Sequence, residues 1–135
     1  LLTPTTLYVK AVVKMLDAGL RIRALIHITG DGFFNLNRVW TKTGYVLDAL
    51  PPAPPIFGLI QECGGIDAAE MFRVYNMGLG FCLITDPQDA DQVCAIAEEF
   101  AHPASVIGHT VEDDAQRISL PQHQLVSQDG AFQKK

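Results

Sequence analysis

His27, Thr29, Asp31 and Arg38 lie within twelve residues, set around two glycines in His27-Ile28-Thr29-Gly30-Asp31-Gly32-Phe33-Phe34 and its continuation. An imidazole that titrates near neutrality can donate to a phosphate or polarise a carbonyl. A guanidinium can grip a phosphate through two parallel hydrogen bonds. Gly30 and Gly32 allow positive φ and let a ligand approach the backbone closely. Ile22-Arg23-Ala24-Leu25-Ile26 before this stretch reads as a buried strand, and residues 33–40 after it read as one or two turns of helix. A strand that ends in glycines and opens a helix turns backbone N–H groups outward, an arrangement that holds anions. The same spacing also makes a plain strand-to-helix turn. The residues alone leave both readings open.

A second glycine-rich stretch, Asn76-Met77-Gly78-Leu79-Gly80, precedes an apolar run. It is either a tight turn or a second place where backbone meets a ligand. His102, His109 and His123 have no partner in sequence and read as surface residues. No Ser-His-Asp or Cys-His arrangement and no Walker-type loop with its lysine is present. Cys63, Cys82 and Cys94 are odd in number, widely spaced and among apolar neighbours. They read as buried free thiols of a reducing cytosol, and without paired Cys/His spacing no metal site is expected.

The elements that must position these residues follow from periodicity and punctuation. Thr3-Pro4-Thr5-Thr6 offers hydroxyl caps to a helix running to about Ala18, with Tyr8, Val9, Val12, Val13 and Leu16 on its apolar face and Gly19 behind it. Residues 43–50 form a second candidate strand, with Tyr45 and Leu47 on one face. Pro51-Pro52-Ala53-Pro54-Pro55 is a stiff connector. Pro55 starts a helix over 56–63, stopped by Gly64-Gly65. Asp67 and Glu70 make an acidic capping box for a short helix through Tyr75. A strand at 81–85 is followed by Asp86-Pro87, an N-cap and first helical position, for a helix to about Phe100 that buries Ala90, Val93, Cys94, Ala97 and Phe100 or their near neighbours. Strands are expected at 104–111 and 116–120, and the polar tail 129–135 is expected to fray. Residues 79–111 thus read strand, helix, strand, with a right-handed crossover between parallel neighbours.

The totals bound the function. At 135 residues, 48% hydrophobic and 19% charged, the chain reads as one domain over 1–135 with an α+β, α/β-like sandwich fold. Ten basic against fifteen acidic residues give a net charge of −5, which argues against nucleic acid but not against one small phosphorylated ligand. No apolar run reaches the ~18 residues of a membrane span, and no signal-peptide pattern opens the chain, so the expected setting is cytoplasmic. The start at Leu1, without methionine and a few residues before a helix, reads as a piece of a longer protein.

Several motifs in order resemble the C-terminal domain of the phosphoribosylformylglycinamidine cyclo-ligases, the aminoimidazole ribonucleotide synthetases. Leu2-Thr3-Pro4-Thr5 with Tyr8-Val9-Lys10 looks like that domain's entry. Residues 24–32, ALIHITGDG, are similar to its A-H-I-T-G-G-G signature, and residues 35–39, NLNRV, to N-I-P-R-V. Pro54-Pro55-Ile56-Phe57, Glu70-Met71-Phe72-Arg73, Asn76-Met77-Gly78-Leu79-Gly80 and Val106-Ile107-Gly108 follow further family motifs. The resemblance covers essentially the whole chain.

That resemblance implies a mixed sheet with packed helices, partly ferredoxin-like. It implies a part in the ATP-driven closure of formylglycinamidine ribonucleotide to the aminoimidazole ring of purine biosynthesis, with Mg2+ assisting. His27 is then the catalytic candidate. Thr29, Gly30, Asp31, Gly32, Arg38, Asn76, Gly78 and Gly80 are the substrate- and phosphate-binding candidates. ATP and Mg2+ are expected for the full-length enzyme, and none tightly bound to this domain. The family's N-terminal domain supplies much of the ATP binding and the contact of a homodimer, and it is absent here, so the isolated domain is expected to be inactive. Two departures stand out: Asp31 replaces the middle glycine, and Asn37 replaces the proline before Arg38. Aspartate tolerates left-handed φ. Its carboxylate, ~4 Å from a phosphate at an effective dielectric of ~20, opposes binding by up to about 4 kcal/mol, whereas a helix N-terminus favours it by roughly 0.3–2 kcal/mol. Repulsion wins unless Asp31 points away or holds magnesium. These departures favour the rival reading, a non-catalytic paralogue that binds a ligand or partner.

Overall fold

The computed structural model describes residues 4–39 and 42–135. The expected cap at Thr3 and helix end at Trp40 lie outside the described residues. The chain is an α+β protein whose contacts cluster into two compact units, residues 1–26 with 80–106, and residues 27–79 with 107–135.

The first unit packs helix α1 (Val9–Asp17) against α4 (Ala90–Glu99). Ala11 and Met15 of α1 meet Val93, Ile96 and Ala97, with Leu20 completing the cluster. Small Ala11 admits the neighbouring helix and unbranched Met15 fills the gap beside it. The buried face therefore differs from the expected one: Val9, Val13 and Leu16 are exposed. The N-cap is Tyr8, whose side chain makes no capping bond, so Thr5 and Thr6 do not cap the helix. Gly19, at φ +74°, ends it as expected. Strands β1 (Ile22–His27) and β3 (Phe81–Thr85) form a two-stranded sheet.

Asp86 does not cap the helix that follows. A 3-10 turn, Pro87–Asp89, intervenes, and the Asp86 carboxylate accepts from Arg23 Nε at 2.9 Å and Nη2 at 3.1 Å, and from Arg21 at 3.4 Å. The hydrogen bond from Arg23 holds the Asp86 carboxyl below its ordinary value. Two guanidinium groups outcompete the local amides for this carboxylate. In α4, Ile96 takes a buried place expected for Cys94, which is only partly covered, as are Ala90 and Phe100.

The second unit holds a five-stranded mixed sheet in the order β4-β2-β5-β6-β7, formed by β2 (Thr43–Val46), β4 (His109–Glu112), β5 (Ile118–Leu120), β6 (Leu125–Gln128) and β7 (Ala131–Lys134). Only β2 and β5 pair in parallel; the other neighbours are antiparallel. The crossover expected over 79–111 is not made. Strand β3 pairs with β1, and β4 pairs antiparallel with β2, Val46 opposite His109. The strand expected from residue 104 begins at His109. Before it, Gly108 lies so close to β2 that a Cβ there would sit 2.0 Å from the Val46 carbonyl. Tyr45 and Leu47 share the buried face as read, although β2 itself ends at Val46.

Helix α2 (Pro55–Gly64) starts at its proline and ends at Gly65, φ +59°, as the punctuation dictates, yet it buries none of its residues. Cys63 on it is exposed, contrary to expectation, while Cys82 and Cys94 are partly covered and free. Burial pushes the Cys82 thiol up to about 11, which keeps it protonated and inert. In α3 (Ala68–Val74) the Asp67 side chain accepts the Glu70 N–H at 2.8 Å, one half of the expected capping box. The Glu70 carboxylate turns to Arg73 instead. No helix among the described residues is long and apolar enough to cross a membrane.

The tail does not fray. Asp129 and Gly130 both adopt positive φ, +51° and +78°, the two-residue turn whose twist suits a hairpin, and they join β6 to β7. Phe132 on β7 is 5% exposed, with its ring 5.0 Å from Phe34 and 6.5 Å from Phe72. Phe132→Ala is expected to cost about 3–5 kcal/mol of stability, as for other buried phenylalanines. Chemical denaturation of the two chains measures it, and an unchanged midpoint would return the tail to a frayed end.

Candidate functional site

The first glycine-rich turn grows out of the end of β1. His27 closes that strand and is exposed. Ile28 turns into the core at 3% exposure, while Thr29, Gly30 and Asp31 lie at the surface and Gly32 and Phe33 are buried again. A turn anchored by apolar side chains at both ends presents its middle to solvent. Asp31 has φ 71° and ψ 6°, the left-handed conformation that aspartate was expected to accept, at a cost of about 1–2 kcal/mol for an L-residue.

Gly32 is required by packing. A Cβ at this position would lie 2.5 Å from the Phe72 carbonyl oxygen and 2.8 Å from that of Tyr75, so backbone of the turn rests on backbone at the end of α3. Tyr75 precedes Asn76, and the two glycine-rich turns therefore adjoin within this unit. Phe33 reinforces the contact edge-on to Phe72, ring centres 5.2 Å apart.

Residues Gly32–Arg38 form a 3-10 helix, not α-helical turns. Asn35 within it is wholly buried. Its Nδ2 donates to the carbonyls of Gly30 at 2.8 Å and Gly32 at 2.7 Å, and its Oδ1 lies 3.4 Å from the Thr29 hydroxyl. The Gly32 carbonyl thus also accepts from a side chain. Sequence reasoning passed over Asn35. The signal was an amide three residues after a turn glycine, a spacing that allows side-chain capture of backbone.

The Arg38 guanidinium, expected to hold phosphate, donates to Asp31 Oδ2 at 2.8 Å. Both side chains are more than half exposed, at 61% and 71%, and such a pair contributes at most about 1 kcal/mol. Asp31 thus has a cationic partner at the surface. Arg73 is a second cation here, also passed over. It donates to both oxygens of Glu70, at 2.5 and 2.6 Å, and Asp31 adds a smaller attraction that raises its affinity for the proton further. Each arginine near the turn is thereby matched by a carboxylate.

The second turn has internal reasons for its residues. Asn76 Oδ1 accepts the Gly78 N–H at 3.0 Å, and Met77 and Gly78 take φ 49° and 96°. A Cβ on Gly78 would lie 2.5 Å from Pro54 Cδ. Gly80 belongs to the other unit, where a Cβ would lie 2.1 Å from the Tyr8 hydroxyl; Tyr8 in turn stacks on Phe81, ring centres 4.9 Å apart. Gly30 differs from these three. A Cβ there would meet nothing within 4 Å among the described residues, and its backbone does not need positive φ. No contact among the described residues accounts for a glycine at this exposed position.

Comparison with known proteins places these motifs in context. Residues 1–120 match the family described as AIR synthase related protein, C-terminal domain. The chain is 47% identical over 113 residues to a phosphoribosylformylglycinamidine cyclo-ligase of Methanocaldococcus jannaschii, which covers 83% of this chain and 32% of that protein. It is 42% identical over 118 residues to the Methanothermobacter thermautotrophicus protein of the same name, 85% of this chain and 35% of that one. A Methanococcus vannielii protein, again of that name, is 43% identical over 114 residues, 84% of this chain and 32% of its own length. The chain spans about a third of the length of the curated relatives it matches.

The two turn glycines are expected to answer differently to a methyl group. Gly30→Ala should leave stability unchanged or raise it by about 0.4–1 kcal/mol by restricting the unfolded chain. Gly32→Ala should cost more than about 2 kcal/mol, because the added carbon meets backbone oxygens at positive φ. Thermal unfolding of both variants measures this, and equal losses would contradict the packing described.

Proposed function

The chain belongs to the AIR synthase related proteins, as their C-terminal domain, and from that premise we propose that it serves an ATP-dependent cyclo-ligase of purine biosynthesis, converting formylglycinamidine ribonucleotide to aminoimidazole ribonucleotide in the cytoplasm. The turn at residues 27–32 receives the phosphorylated substrate. Thr29 and the backbone at Gly30 contact the phosphate, Arg38 contributes charge once released from Asp31, and His27 donates to or polarises the reacting amide. Gly32, expected to join them, is buried with its N–H given to the Thr29 carbonyl at 3.1 Å, and shapes the turn from within. Asn76 and Gly78 shape the adjoining wall, while Gly80 serves its own unit by seating Tyr8.

The observation that carries this reading is Gly30. The turn keeps a surface position free of side chain where its own packing has no use for one, and close approach of a ligand to backbone does. In this chemistry bound ATP, with Mg2+, supplies the activation of the formyl amide oxygen, after which an amidine nitrogen attacks. The described residues do not fit those groups: no three His, Cys, Asp or Glu side chains gather among them, and no Walker-type loop is present. No step is therefore routed through either on this chain, and ATP binding and the homodimer contact fall to the further length that the relatives have. The purified chain with ATP, Mg2+ and the formylglycinamidine ribonucleotide is expected to form no aminoimidazole product. Product above the blank would contradict this division of labour.

The Asp31–Arg38 pair favours a second reading, a paralogue that binds a ligand without turnover. In either case the pair competes with phosphate for the guanidinium. Because both groups are exposed, the opposition shrinks from the sequence-based bound to about 1 kcal/mol. Asp31→Gly should tighten phosphate binding about fivefold. Calorimetric titration of both chains decides it, and equal affinities would remove Asp31 from the account.

A further inference from the structure

We infer that Asn35 is the positioning residue of this turn, its buried amide drawing the carbonyls of Gly30 and Gly32 inward so that the Gly30 surface stays open to a phosphate. The inference rests on the phosphate reading given above. Asn35 is wholly buried between Phe33 and Leu36, themselves 2% and 3% exposed, a place where an aliphatic side chain would ordinarily sit. Its polarity is spent entirely on the turn: one nitrogen bridges two carbonyls two residues apart, at 2.8 and 2.7 Å. Only a primary amide of this length offers two hydrogens in that geometry. Ionised aspartate offers none, serine one, and glutamine an extra methylene.

The consequence follows from peptide planarity. In a trans peptide the C=O and the next N–H point in opposite directions. Fixing the carbonyls of Gly30 and Gly32 toward Asn35 turns the N–H groups of Asp31 and Phe33 away from it. Asp31, between the two anchored planes, absorbs the reversal with its positive φ. The Thr29 hydroxyl, 3.4 Å from Asn35 Oδ1, is held at the same edge. One side chain thus orients three of the candidate contacts while touching no ligand itself.

The test titrates inorganic phosphate calorimetrically into the 135-residue chain, Asn35→Asp and Asn35→Ala. Asn35→Asp keeps the shape and removes both donors at neutral pH. Phosphate affinity should fall about tenfold or more, and amides 29–33 should exchange hydrogen faster without ligand while the melting transition stays cooperative. Lowering the pH through the titration of the introduced carboxyl restores one donor, so affinity relative to the parent at the same pH should partly recover. A merely structural residue would not give that profile. If Asn35→Asp does not fold, Asn35→Ala, smaller and uncharged, is read by the same affinity and exchange measurements. Variants that bind phosphate as tightly as the parent overturn the inference alone. A parent that does not bind phosphate overturns the phosphate reading, and the inference with it.

Discussion

Two hydrogens on the buried Asn35 nitrogen hold the turn from beneath, and the features around it depend on that grip. They bond the Gly30 and Gly32 carbonyls at the entry of the 3-10 helix Gly32–Arg38. The tighter winding sends consecutive phenylalanines to different neighbours, Phe33 to Phe72 on α3 and Phe34 to Phe132 on β7. The C-terminal hairpin is therefore part of what supports the turn. A buried amide deprived of its partners would cost about 1–3 kcal/mol for each group left unsatisfied. The arrangement is thus held by mutual satisfaction, with Gly32 providing the close approach that brings α3 underneath.

Electrostatics around the turn is balanced. Arg38 pairs with Asp31, and Arg73 with Glu70, all on the surface and all open to screening over about 8 Å at physiological salt. An anion arriving here does not meet a patch of uncompensated positive charge. An anion bound as proposed would meet exposed backbone at Gly30 and an arginine that must change partners. Under the proposed reading such a site would select by shape and hydrogen bonding, in keeping with a net charge of −5.

The sequence was most legible where punctuation is local. Pro55 and Gly65 bound α2, Gly19 ends α1, and Asp67 caps α3 because each acts through its own backbone geometry. The family was legible too, since its motifs are contiguous and ordered. What escaped were choices made by distant partners. Asp86 looks like an N-cap until Arg21, just before β1, and Arg23 on it reach its carboxylate. The α1 face is set by α4, so Ala11 and Met15 are buried where larger residues beside them are not. Strand β4 joins β2, a pairing that no local pattern encodes. The tail carried a readable signal, Asp129-Gly130 between short apolar alternations, outweighed by its polar composition. In the site, the residue types around Gly30 were legible and the Asn35 clamp was not, because hydrophobic periodicity says nothing of which buried amide reaches which carbonyl.

The central claim is that the exposed middle of this turn is where a phosphorylated ligand meets the chain. The most direct measurement is a titration of isotopically labelled chain with ribose 5-phosphate, followed through the backbone amide resonances. The account predicts saturable shifts centred on Thr29, Gly30, Asp31 and Gly32, with a smaller response at Asn76 and Gly78 next to them. Shifts that cluster elsewhere, or none at concentrations where simple phosphate esters bind, would contradict it.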